Sequence, residues 1–252
     1  MTPDSTRCAI VTGATSGIGE AIAEELAAQG FALLLVGRRH AEGAAFATRL
    51  SQGGATAHFL RADVTDRNAP EAIVQAALES FGRVDALINN AGLLSHGTAE
   101  ETSDAEWDQI MDVNLGAVFR LSRAALPALR QRGGSIVNIA SDWALTGARG
   151  AVAYAVSKAA VAQLTRCMAL DHAAEGIRIN AVCPGDTDTP MIAAGLTGDD
   201  RAAKIASYGA QVPMGRVGTP QDVARVVAFL LSEAAGYMTG TLIPVDGGMT
   251  AG

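Results

Sequence analysis

The feature that most constrains this chain is an alternation. Short β-branched runs bounded by Gly or Asp are each followed by an Ala-rich stretch of helical period. The runs are Cys8 to Thr12, Ala32 to Val36, Ala57 to Leu60, Ala86 to Ile88, Ser135 to Ile139, Arg178 to Val182 and Leu242 to Val245. Strands separated by helices need crossover connections and therefore run parallel, with helices on both faces of the sheet. That explains why the runs are apolar throughout instead of alternating with polar residues. Helix starts agree: Ser103 to Glu106 has the spacing of a capping box, and Thr219-Pro220 sets a cap before a first-turn proline. The expectation is an α/β fold with a doubly wound parallel sheet of seven strands. Composition changes little along the 252 residues and no linker interrupts them, so residues 1–252 read as a single domain.

Composition removes several functions. The formal charge is −7 and no run of Lys and Arg occurs, which argues against a nucleic-acid partner. The cysteines, Cys8, Cys167 and Cys183, form no Cys-x-x-Cys pair and have no His at ligand spacing, so neither a disulfide framework nor a metal site is expected. No apolar stretch follows a basic start at the N-terminus, and no run approaches the ~20 residues that cross a bilayer. No membrane partner and a cytoplasmic location are the expectation.

In open parallel sheets, ligands bind beyond the carboxyl ends of the strands. After the first strand comes Thr12-Gly13-Ala14-Thr15-Ser16-Gly17-Ile18-Gly19, leading directly into a helix. Backbone amides and the positive helix end can there face a phosphate. Gly13 permits the turn, Gly17 lets the backbone approach a ligand, and Gly19 allows close helix packing. After the second strand comes Val36-Gly37-Arg38-Arg39, where dinucleotide folds place an acid for a ribose 2′-hydroxyl or an Arg for a 2′-phosphate. Arg38 and Arg39 favour NADP, with NAD as the alternative.

Tyr154 and Lys158 stand four residues apart on a stretch of strong helix propensity from Ala151 to Ala174, so both side chains share a face. An ammonium beside a phenol favours the phenolate, and Lys158 is therefore expected to bring Tyr154 into a usable acid/base range.

These residues together resemble the short-chain dehydrogenases/reductases in their single-domain form. The resemblance covers the whole chain: the glycine motif, Asp63-Val64, Asn89-Asn90-Ala91-Gly92, Asn114, Ser141, Tyr154 with Lys158, Pro184-Gly185 with Thr189, and Val245-Asp246-Gly247-Gly248. It implies a Rossmann-like sheet, adenine near Asp63 and Val64, the nicotinamide ribose on Tyr154 and Lys158, and the carboxamide near Thr187 and Thr189. It also implies a catalytic tetrad. Tyr154 would exchange a proton with the substrate oxygen as hydride moves to or from the nicotinamide. Ser141 would hydrogen-bond that oxygen, Lys158 would tune Tyr154 and hold the ribose, and Asn114, in a helix from Asp104 to Leu126, would hold a water.

Around the substrate the expectation names Leu94, His96, Asp142, Trp143 and Met191, most of them apolar. A ketone or secondary alcohol with a hydrocarbon arm is the expected substrate. Asp142 either turns to solvent or receives a hydrogen bond, because an unpaired carboxylate in a partly dry pocket is costly. The alternatives are a 3-oxoacyl carrier-protein reductase, docking its acidic carrier on Arg130 and Arg132, and a nucleotide-sensing scaffold without turnover. From Ala151 to Ala169 only Lys158 and Arg166 are charged. A second subunit is expected to cover the spare apolar face, and the resemblance implies a homotetramer.

Overall fold

The computed structural model describes residues 6–252; residues 1–5, where the stretch read for a targeting signal begins, lie outside them. Seven parallel strands form one sheet in the order β3-β2-β1-β4-β5-β6-β7. They are β1 Cys8–Thr12, β2 Ala32–Gly37, β3 Ala57–Arg61, β4 Ala86–Asn89, β5 Ser135–Ile139, β6 Arg178–Pro184 and β7 Leu242–Val245. Each contains the run expected for it. The fold is the expected Rossmann-like one.

Successive side chains of a strand point to opposite faces, and here both faces are apolar. Ala9 and Val11 of β1, with Leu33 and Leu35 of β2, pack against Ile22 and Leu26 of α1 (Gly17–Ala28), Phe46 and Leu50 of α2 (His40–Gln52) and Val223 and Val227 of α8 (Pro220–Leu230). Cys8, Ile10, Leu34 and Val36 face the other way. They meet Ile73 of α3 (Ala69–Phe81), Leu121 and Leu129 of α5 (Ala117–Arg130) and Met168 of α6 (Val152–His172). Each fully buried Leu or Ile of these layers contributes about 1.5–3 kcal/mol. The two remaining helices, α4 (Asp104–Met111) and α7 (Gly198–Gly209), lie in the connections that follow β4 and β6.

Both expected caps form. Ser103 and Glu106 make a reciprocal capping box, and Thr219 makes another with Asp222 ahead of α8. The single helix expected from Asp104 to Leu126 does not form as such. It runs on to Arg130 and is interrupted by a π turn at Asp112–Gly116 between α4 and α5. Such a turn adds a residue to one helical repeat and is frequent at functional sites.

Strand order places the site. The chain leaves β1 toward β2 and β3 on one side and toward β4 to β7 on the other, so the connections diverge beyond the carboxyl ends of β1 and β4. A crevice opens at such a switch point. Among the described residues no helix is long and apolar enough to cross a membrane, and no group of three or more His, Cys, Asp or Glu could hold a metal ion.

Candidate active site

A cleft of about 440 Å³ opens at that switch point. Its wall begins with the loop between β1 and α1, where Gly13 takes φ +63°. A side chain there would be strained and would also meet Asn90 Nδ2 at 2.9 Å. Gly13, Thr15, Ser16, Gly17 and Ile18 line the cleft; Gly19 does not. A Cβ on Gly19 would stand 2.3 Å from the Gly13 carbonyl oxygen and 2.4 Å from Asn90 Nδ2. Gly19 therefore packs against the start of its own loop. Ser16 caps α1 without a side-chain hydrogen bond, so no hydroxyl competes for the first-turn amides.

A second loop is stitched to the first. Thr12 Oγ1 accepts from the amides of Asn90 (3.0 Å) and Ala91 (3.1 Å), while Asn90 Nδ2 donates to the Thr12 carbonyl at 2.9 Å. Asn90, Ala91 and Gly92 thus stand rigidly beside the glycine loop and line the cleft with it.

The two arginines after β2 divide their tasks. Arg39 Nη2 donates to Thr15 at both its carbonyl (3.0 Å) and its Oγ1 (2.9 Å), bracing the glycine loop. Arg38 lines the cleft near Asp63. Two bonds from Thr65, backbone first and then hydroxyl, hold the Asp63 carboxyl below its usual range, and the Arg38 charge adds to them. Val64 lies beside it on the wall.

Ser141, Tyr154 and Lys158 come together in the same cleft. Ser141 follows β5 and caps a 3₁₀ turn at Asp142–Ala144, its Oγ accepting from the Trp143 amide at 3.2 Å. Tyr154, in the first turn of α6, meets the Trp143 ring edge to face at 5.7 Å and 87°. Lys158, one turn on, is buried and its Nζ donates to the Ile139 carbonyl at 2.8 Å. Burial lowers Lys158 to about 8.

The expected Lys158 effect on Tyr154 does not appear in this geometry. Burial pushes the Tyr154 phenol up to about 12; the Ser141 hydroxyl works against that and the Asp142 charge adds to it. The Lys158 ammonium is 5.7 Å from the Tyr154 ring centroid and is spent on a β5 carbonyl. Desolvation of the phenol therefore wins.

Asn114 stands on the π turn that follows α4. The π turn points it inward, where it is fully buried, and it does not line the cleft. Its Oδ1 accepts from the Leu93 amide at 2.8 Å, and its Nδ2 donates to the Leu93 carbonyl (2.9 Å) and to Ser157 Oγ (3.0 Å). The side chain ties the Leu93 loop to α6. A Cβ on Gly92 would stand 3.3 Å from Asn114 Oδ1 and 3.5 Å from Lys158 Nζ, so both side chains border the space beside Gly92.

Pro184, the last residue of β6, and Gly185, Thr187 and Thr189 beyond it continue the lining. Of the expected substrate residues, Leu94, Asp142, Trp143 and Met191 line the cleft, and His96 does not: it is exposed beyond the Leu94 loop. Asp142 does not turn to solvent. It is buried, and its Oδ1 accepts from Ser141 Oγ (2.9 Å) and the Trp143 amide (2.8 Å). Asp186 was not anticipated. It lines the cleft and burial raises its carboxyl, yet a lone acid between Gly185 and Thr187 reads in sequence as a solvated loop residue.

Residues 13–250 match the family model described as enoyl-(acyl carrier protein) reductase. The chain is 40% identical over 243 residues to 2-(S)-hydroxypropyl-CoM dehydrogenase 3 of Xanthobacter autotrophicus, covering 96% of this chain and 95% of that one. This chain belongs to the short-chain dehydrogenase/reductase family. It is also 38% identical to meso-2,3-butanediol dehydrogenase of Serratia marcescens over 96% of this chain and 94% of that one. Among solved structures, a variant of actinorhodin polyketide ketoreductase with NADPH superimposes with a TM-score of 0.92 at 36% identity, covering 99% and 98% of the two chains. The protein is thus an oxidoreductase acting on alcohols or ketones with a nicotinamide cofactor. A scaffold without turnover is set aside.

Proposed function

We propose that this short-chain dehydrogenase/reductase prefers NADP and interconverts a ketone and a secondary alcohol, with Tyr154 as the acid/base. The observation that carries the reading is the meeting of Ser141, Tyr154 and Lys158 in one cleft with a glycine loop whose helix start is free of side-chain caps. The residues fit a dinucleotide. The α1 amides suit its phosphates, Arg38 suits a 2′-phosphate, and no carboxylate follows β2 to take a ribose hydroxyl. The polyketide ketoreductase that superimposes on the chain carries NADPH, which supports the same preference.

When bound, the nicotinamide supplies or accepts the hydride at its C4. Tyr154, kept protonated across the neutral range, gives its proton to the carbonyl oxygen during reduction and takes it back during oxidation. Lys158, whose ammonium keeps further donors beyond the one given to Ile139, would hold the ribose hydroxyls beside Tyr154. Asn114 fixes the Leu93 loop against α6 and so sets the cleft's width.

The substrate reading follows from the wall. Leu94, Trp143 and Met191 offer apolar surface for a hydrocarbon arm, and the Asp142 and Asp186 carboxyls disfavour an anionic group at the same end. A carrier-bound acyl substrate is less well supported, because Arg130 is paired with Glu175 at 2.8 Å. Val156 on α6 and Phe119 on α5 stay exposed, and we assign that face to contacts within a homotetramer. A panel of neutral ketones and secondary alcohols assayed with both cofactors tests the reading. Faster turnover with NADPH than with NADH on neutral ketones supports it, and no turnover of any carbonyl compound overturns it.

A further inference from the structure

The hydroxyl of Ser141 carries one proton, and its direction is decided by the neighbouring Asp142. Ser141 Oγ donates to Asp142 Oδ1 at 2.9 Å, and both residues are buried. The Trp143 amide donates to the same Oδ1 at 2.8 Å and, at 3.2 Å, to Ser141 Oγ. That fork locks the two side chains together on one tight turn. Asp142 Oδ2 accepts no hydrogen bond from the described residues, and Asp142 lines the cleft. With its proton given to a carboxylate and one lone pair taken by the Trp143 amide, Ser141 has only its remaining lone pair for the Tyr154 hydroxyl and the cleft, and a hydrogen bond to an ionised acceptor is among the stronger ones.

We propose that Asp142 is a positioning residue that withholds the Ser141 proton from the substrate oxygen while its carboxyl is ionised, and releases it for carbonyl reduction when the carboxyl gains a proton. The proposal rests on the oxidoreductase reading above and adds a control on its direction. Once Asp142 is protonated, its O–H donates to Ser141 Oγ, and the Ser141 O–H is free to stabilise the oxygen on which negative charge develops. An ionised Asp142 leaves that oxygen to Tyr154 alone. No atom is transferred between Ser141 and Asp142 in the net reaction; only the direction of donation changes.

The surroundings place this change within the working range. Burial pushes the Asp142 carboxyl up to about 6; the bonds from Ser141 and Trp143 act against burial, and the charges of Asp186 and Asp246 act with it. The titratable groups facing Asp142 are Tyr154 from α6, with Lys158 behind it, Cys183 and Asp186 at the end of β6, and Asp246 after β7. Burial holds Tyr154 at about 12 and Cys183 at about 11, so neither titrates near Asp142. Asp246 lies below its usual range, fixed by Thr250 and the Gly248 amide against the cost of its burial. Asp186 is the one other carboxyl raised beside it.

Two measurements on the full chain test this. The first is the carboxyl ¹³C titration of aspartate-labelled protein, with the Asp142 signal assigned through Asp142→Asn. Loss of the donor in Ser141→Ala should raise the Asp142 midpoint by about one pH unit, a tenfold change. An unchanged midpoint overturns the coupling. The second is the pH profile of ketone reduction with saturating NADPH. The parent kcat should rise about tenfold as the pH falls from about 8 to about 5, while Asp142→Asn should vary by less than about twofold. The same inflection in both proteins overturns the proposal. If no carbonyl compound is turned over, the oxidoreductase reading fails, and the titration still decides whether Ser141 gives its proton to Asp142.

Discussion

Lys158 Nζ donates to the main-chain carbonyl of Ile139 at 2.8 Å, which ties the middle of α6 to the last residue of β5. The bond brings a cation into a buried position and fixes Tyr154, one turn before it, over the cleft.

Burial lowers Lys158 to about 8 from its ordinary 10.5. Between those values the unfolded chain binds more protons than the folded one, so the contribution of Lys158 to stability rises with pH across that window. Below about 8 both states carry the proton and the cost of the buried charge is constant. Cys8 and Cys183, raised by burial to about 12 and 11, slope the other way in the same range. Denaturant midpoints followed against pH should therefore show the difference between the parent and Lys158→Met growing in the parent's favour as pH rises through the window. Parallel curves would mean that the Lys158 proton is not perturbed by folding.

Most of this was legible in the sequence. The seven strands could be read because two apolar faces leave a continuous apolar run, and Ile10 and Val11 of β1 do go to opposite cores. Gly13, Arg38, Ser141, Tyr154 and Lys158 were legible by position after a strand or along one helix face. The π turn at Asp112–Gly116 was not, since helical periodicity does not say where one repeat gains a residue, and the Asn114 contacts went with it. The destination of the Lys158 ammonium was not legible either. Side-chain spacing puts it beside Tyr154, but only the packing of α6 on β5 offers it the Ile139 carbonyl. His96 was misplaced because the loop after β4 carries it out of the cleft, which no local pattern encodes.

The division of labour between Arg38 and Arg39 predicts a contrast. Arg38→Asp removes a phosphate partner and adds a like charge, so affinity for NADPH should fall by roughly 10–100-fold while that for NADH changes little. Arg39→Ala releases the glycine loop at Thr15 and should weaken both cofactors alike. Fluorescence titration of each reduced cofactor checks both, and an equal loss in Arg38→Asp refutes its assignment to the 2′-phosphate.

A carboxylate in the cleft wall should sort substrates by charge. Asp142→Asn should raise kcat/KM for a keto acid relative to a matched neutral hydroxyketone, by about tenfold for one like-charge contact removed from a partly dry site. Competition between the two substrates in one reaction measures the ratio directly. A ratio unchanged from the parent would show that Asp142 does not read substrate charge.

Exposed Phe119 on α5 and Val156 on α6 should lie between subunits. Phe119→Glu would set a charge in an apolar contact and should lower the mass seen by light scattering, with the parent running as a tetramer. A parent that scatters as a monomer at micromolar concentration contradicts the assignment.

The central claim is that Tyr154 moves the proton, and Tyr154→Phe tests it most directly, because it removes one oxygen and leaves the ring packed against Trp143. Single-turnover reduction of a ketone, followed by the near-ultraviolet absorbance of NADPH, should slow by at least about 10²-fold, with NADPH affinity within about twofold of the parent. A rate close to the parent's, at equal cofactor occupancy, would contradict the role given to Tyr154.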